Sequence, residues 1–141
     1  RYGFTLLRVA AACGRARAVA LLLSRGADPD TPCARGWRPL HGAADSDSAE
    51  VVALLLRANA DMEGRTRAGR TPLDVGVAAG SLRAVAVLAA EGGAAGAAAE
   101  SLFEIALARA RARGVSAKGV PAAVAEALLR PKGVATGGAR K

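Results

Sequence analysis

The chain has 141 residues, 52% of them hydrophobic but only 3% aromatic, and a formal net charge of +8. That length suits one domain with a shared core, which has to be built from Ala, Val and Leu packed closely through small side chains. No apolar run reaches the ~18 residues of a membrane span, and two cysteines, Cys13 and Cys33, are too few for a disulfide framework, which favours a reducing, intracellular setting.

In chain order, the first predicted helix begins at Thr5-Leu6-Leu7-Arg8-Val9-Ala10-Ala11 and stops at Gly14, where a left-handed residue would end it. Residues 5–13 resemble the apolar core of a signal peptide, but Arg8 interrupts the run and the repetition below accounts for it better. A second helix carries Val19-Ala20-Leu21-Leu22-Leu23 and leaves through Ser24-Arg25-Gly26 into Ala27-Asp28. All of this then returns. The first block recurs after 33 residues as Arg38-Pro39-Leu40-His41-Gly42-Ala43-Ala44, and after another 33 as Thr71-Pro72-Leu73-Asp74-Val75-Gly76-Val77. The second recurs in step as Val52-Ala53-Leu54-Leu55-Leu56 and Val85-Ala86-Val87-Leu88-Ala89, and the exit as Ala58-Asn59-Ala60-Asp61.

Local chemistry supports these boundaries. The Thr71 hydroxyl can cap free N–H groups, and Pro72 at the first helical position forfeits no hydrogen bond. Gly80 repeats the stop of Gly14, while Asp47 holds that slot in the second unit and tolerates the left-handed conformation less well. Arg38 stands where a capping Thr would be worth ~1 kcal/mol, and Gly76 stands in a helix where Ala would be better by a similar ~1 kcal/mol. Together with Asn59, Arg38 and Asp47 weaken the second unit. Restoring Thr at 38 and Gly at 47 is expected to stabilise it by roughly 1–2 kcal/mol.

A fourth unit is degenerate: Ser101-Leu102-Phe103-Glu104-Ile105-Ala106 follows Thr71 by 30 residues instead of 33. Ser101 and Glu104 are spaced as a capping box for a long helix over 102–113, which Gly114 would stop. A last helix over 121–130 opens on Pro121, halts before Pro131, and places Val124, Ala125, Leu128 and Leu129 on one stripe. The expected organisation is repeats in 1–100 (units of about 1–30, 31–63 and 64–96), a capping repeat in 101–130 and a basic flexible tail in 131–141. The start lies within a unit's loop, with no initiator Met and no polar capping unit before Thr5, which reads as a fragment, a processed product or the ordered part of something longer.

Charge is uneven. Residues 1–100 carry 12 basic and 10 acidic side chains, and residues 101–141 carry 8 basic and 2 acidic. The basic end is either a contact for nucleic acid, an acidic protein or an anionic membrane, or a merely solvated tail. Part of the excess of Arg over Lys, 17 to 3, fits a GC-rich gene amid so much Ala and Gly.

The 33-residue period and the Thr-Pro-Leu phrase resemble the ankyrin repeat, although the family's His occurs in the phrase only once, at His41, with Arg8 and Asp74 elsewhere. The resemblance implies an all-α ankyrin-repeat solenoid of stacked helix pairs with loop hairpins. It implies a protein-interaction adaptor or scaffold whose partner meets the loop tips and the inner face of the first helices. One exposed position in that pattern directly precedes the Thr position: here Phe4, Trp37 and Arg70, each after a glycine, with Tyr2, Arg35 and Arg67 just upstream. Trp, Tyr and Arg are the types that carry most binding energy at interfaces, so Trp37 would be the anchor. An aromatic there can also simply pack on the next loop. At the other end, Arg109 and Arg113 share a helix face and would form a nucleic-acid or acidic-partner contact with Lys118 and Lys132. Cations in a last helical turn also merely complement the helix dipole.

Nothing argues for an enzyme or a cofactor. A Cys13–His41 pair would lack an orienting third group, no Gly-rich stretch ends in Gly-Lys-Ser/Thr, and one His with two isolated Cys cannot make a zinc site. Asp28, Asp30, Asp61 and Glu63 recur at unit boundaries, where they would hold the loops. Besides the adaptor, two readings remain open: a basic structural subunit of a ribonucleoprotein or other large assembly, and a regulatory ankyrin segment of a longer protein.

Overall fold

A short helix pair built from Ala, Val and Leu has two apolar faces to bury, and in this protein its neighbours in the stack bury them. The computed structural model describes residues 5–91 and 97–114, and for 97–103 the backbone only. The helices are α1 Leu6–Ala12, α2 Ala16–Ser24, α3 Pro39–Asp45, α4 Ala49–Arg57, α5 Pro72–Ala79, α6 Leu82–Glu91 and α7 Ala97–Ala112. Among the described residues there is no strand. α1, α3, α5 and α7 pack in one row, α2, α4 and α6 in a second, and each of the first three pairs also packs within itself. The all-α stack of helix pairs is therefore present, and α7 takes the place of a fourth unit's first helix.

Residues one period apart do the same work. Val19, Val52 and Val85 are buried, as are Leu7 and Leu40 on the first helices and Leu55 and Leu88 on the second, and each such side chain stabilises the fold by ~1.5–3 kcal/mol over leaving it exposed. Leu6 is 70% and Leu21 56% exposed, whereas Pro39 is buried and Leu54 half-buried, because the first unit packs on them. Gly76 has a use that propensity does not show: a Cβ there would lie 3.1 Å from Val85 Cγ2. The helix-propensity cost of this glycine is thus set against the room it leaves Val85.

The caps explain the helix starts, with two corrections. Thr5 Oγ1 accepts the Arg8 N–H at 3.1 Å. Thr71 and Asp74 form a reciprocal capping box, with Thr71 N–H to Asp74 Oδ2 at 3.0 Å and Asp74 N–H to Thr71 Oγ1 at 3.2 Å. Arg38 cannot accept a hydrogen bond, so the imidazole of His41 supplies half a box by accepting the Arg38 N–H at 3.1 Å. The Arg38 guanidinium runs over Gly64 to Asp61 at 3.2 Å and Asp30 at 3.7 Å. A Thr at 38 would gain a cap worth ~1 kcal/mol but lose ion pairs worth up to ~1 kcal/mol, so the expected stabilisation disappears.

Asp47 overturns the second half of that expectation. Its φ of 55° is left-handed, as anticipated, yet its Oδ1 accepts the N–H groups of Arg83 at 2.8 Å and Ala84 at 3.0 Å. Both N–H groups lie in the first turn of α6, where no carbonyl of the helix itself reaches them. The hydroxyl of Ser81, which precedes α6, is turned instead to the Asp45 carbonyl at 3.3 Å. Asp47 therefore ends α3 and caps the next unit's second helix. Asp47→Gly would relieve ~1 kcal/mol of backbone strain but orphan two N–H groups, at ~1–3 kcal/mol. A net loss of about 1 kcal/mol is expected by urea denaturation, and a gain would refute the capping role.

The fourth unit also departs from expectation. α7 begins at Ala97, so Ser101 lies inside the helix and cannot be its N-cap. Three alanines in a row, the strongest helix formers, carry the helix upstream of the polar residue. Gly114, at φ 71°, does end it. Ala106 and Ala110 are buried against Val77, Leu82 and Val85. The expected helix over 121–130 and the tail over 131–141 lie outside the described residues.

Candidate functional site

The loops between units are hairpins closed in the same way one period apart. The Cys33 N–H donates to the Trp37 carbonyl at 2.8 Å, and the Thr66 N–H to the Arg70 carbonyl at 3.0 Å. They stack directly, with the Arg67 N–H donating to the Arg35 carbonyl at 3.1 Å. Gly36 permits this approach: its φ is 77°, and a Cβ there would sit 2.8 Å from the Arg67 nitrogen. Three of the four acidic residues expected to hold the loop bases do so through their carboxylates, while the side chain of exposed Glu63 makes no hydrogen bond among the described residues. Asp28 accepts the Asp30 N–H at 2.9 Å and the Thr31 hydroxyl at 3.2 Å, Asp30 accepts the Asp61 N–H at 2.9 Å, and Asp61 accepts the Glu63 N–H at 2.9 Å.

His41 joins the helix row to the loops. It is completely buried. Its Nδ1 accepts from the Arg38 N–H, so Nε2 carries the proton and donates to the Arg70 carbonyl at 3.1 Å. Burial lowers its pKa below 6.5 and prevails over the Arg70 and Gly64 carbonyls, which favour the cation; the Arg38 charge adds to the lowering. With both nitrogens committed inside the core, His41 cannot serve exposed Cys13 as a base.

Trp37 leans on this histidine, ring centroids 5.9 Å apart and planes at 48°. It is half-buried, not the freely exposed tip residue expected from its place in the repeat. The neighbouring imidazole covers part of the indole. Arg35, Arg67 and Arg70 are exposed, and the bonds above bring them together with Trp37 on two stacked hairpins. Sequence reasoning missed Arg65, also exposed, whose guanidinium donates to the Gly69 carbonyl at 2.9 Å. The alternation of Arg65, Arg67 and Arg70 without an intervening acid was the available signal.

The basic end is less available than expected. Arg109 is exposed, but the Arg113 guanidinium donates to the Ala79 carbonyl at 3.0 Å. It stitches α7 to the last carbonyl of α5, where a cation also complements the dipole. Tyr2, Phe4, Lys118 and Lys132 lie outside the described residues. Among the described residues no three of His, Cys, Asp and Glu gather to hold a metal ion, and no helix is long and apolar enough to cross a membrane.

A family model described as ankyrin repeats (3 copies) matches residues 7–98. No curated protein matches the chain. The matched span covers α1 to α6 and the two stacked hairpins, well over half of the sequence, and such repeats are generally protein–protein interaction modules, typically non-catalytic. The chain belongs to the ankyrin-repeat family.

Proposed function

We propose that this protein is an adaptor or scaffold that holds a protein partner on the stacked loop tips of its second and third units. The observation that carries this reading is the joining of Trp37 with exposed Arg35, Arg67 and Arg70 through the Arg67–Arg35 and His41–Arg70 hydrogen bonds. The hydrogen bonds fix the backbones that carry these side chains, so binding has to order only the side chains and not the loops. Two free thiols, Cys13 and Cys33, support an intracellular setting.

Trp37→Ala is expected to weaken the main partner by ~2 kcal/mol or more. The far-UV circular dichroism should stay helical, because the repeat core lies behind the hairpin. The test is affinity capture by the full-length protein, wild type and Trp37→Ala, with and without nuclease. Retention after nuclease and loss in the variant supports the adaptor. Loss on nuclease treatment alone favours the ribonucleoprotein reading, and loss of helicity in the variant makes Trp37 structural.

A further inference from the structure

We infer that the partner of this face is an acidic, extended protein segment, its carboxylates on Arg35, Arg67 and Arg70 and an apolar side chain against Trp37. This rests on the adaptor reading and adds the chemistry of the partner. Residues 31–44 and 64–73, which contain both hairpins, hold five arginines and no Asp or Glu. Arg38 is matched by Asp30 and Asp61, and Arg65 is held on the Gly69 carbonyl. Among the described residues no carboxylate lies within ion-pair distance of Arg35, Arg67 or Arg70. Of the carboxylates closest in sequence, Asp28, Asp30 and Asp61 hold loop N–H groups and Asp74 caps α5, while exposed Glu63 forms no ion pair with these arginines among the described residues.

Three guanidiniums on hairpins whose backbones touch repel one another, and a complementary anion relieves that repulsion. The Arg fork fits carboxylate and phosphate alike, so the charges alone do not choose between an acidic peptide and a nucleic acid. Trp37 does. A path for unpaired bases needs successive stacking platforms, whereas the two hairpins carry one aromatic, half-buried and leaning on His41. A single apolar contact ringed by cations suits a peptide with one apolar residue among acids, and the family binds proteins.

Trp37 is the one tryptophan of the chain, so its emission reports on this face. The full chain is titrated at low salt with a glutamate peptide carrying one central leucine and, separately, with oligouridylate. The acidic peptide should shift the Trp37 emission. Arg67→Glu with Arg70→Glu should weaken that binding at least about tenfold, and the same charge change at exposed Arg17 and Arg25 less than about threefold. The hairpins use the backbone of Arg67 and Arg70, so the reversed variant should fold; Gln at both positions repeats the test if it does not. Equal loss in both pairs, an unmoved emission, or tighter Arg67- and Arg70-dependent binding of oligouridylate overturns the inference. If Trp37→Ala abolishes capture of the partner while the reversal leaves it intact, the acidic segment fails and the adaptor stands.

Discussion

Replacing Gly80 with alanine is expected to cost about 2–4 kcal/mol and to loosen α7 from the stack. Two effects add. The φ of 72° is left-handed, which penalises any side chain by ~1 kcal/mol. A Cβ would also sit 2.7 Å from the Ala110 nitrogen, 3.0 Å from its Cα and 3.1 Å from the Arg109 carbonyl carbon. These are backbone atoms of α7, which can yield only if the helix moves, and overpacking of this kind costs ~1–3 kcal/mol. Moving α7 exposes Ala106 and Ala110 and strains the Arg113 bond to Ala79. Gly114→Ala isolates the first effect: φ is 71° there, with nothing among the described residues within 4 Å of the added Cβ. Urea denaturation of both variants, with amide exchange across α7, checks the prediction. Equal losses in the two would mean that α7 does not rest on Gly80.

The parts of this fold that repeat were legible, because a residue that recurs at one spacing faces the same surroundings each time. Val19, Val52 and Val85 could be paired before any contact was known, and all three are fully buried. Gly14 and Gly80 could be read as helix stops, and both have positive φ. What stayed hidden lies in the deviations, where a substitution acts on a neighbouring unit. Asp47 looked like a poor glycine, since nothing local announces that its carboxylate reaches α6. Arg38 looked like a lost cap, and its ion pairs with Asp30 and Asp61 depend on how two loops stack. Arg113 sat in a basic run, and its partner is a carbonyl more than thirty residues back. The start of α7 was misplaced because a capping signature outweighed the propensity of Ala97, Ala98 and Ala99. The candidate face was half legible: Trp37, Arg35, Arg67 and Arg70 stood out by period, but the imidazole that half-buries Trp37 did not.

His41 is expected to make stability fall as the medium is acidified below about pH 6.5, by up to ~1.4 kcal/mol per pH unit. Burial lowers its folded-state pKa beneath 6.5, where the unfolded chain titrates. Above 6.5 both states are neutral and the full stability is present. Below it the unfolded chain takes up a proton first, and stability drops until the folded-state pKa is reached. Protonation also ruins a bond: Nδ1 accepts the Arg38 N–H, and a proton there would face a donor. The same ring holds the Arg70 carbonyl and touches Trp37, so the second and third units should loosen together and Trp37 emission should follow. Since the chain has one histidine, the step between about pH 5 and 6.5 belongs to His41, ahead of the carboxylates. Urea denaturation at closely spaced pH values measures it, with His41→Gln as the reference. The variant should be less stable at pH 7, having lost a buried ring with two hydrogen bonds, and flat across that window. An equal slope in both proteins would assign the protons to another group and remove His41 as the link between the α3 cap and the third unit's hairpin.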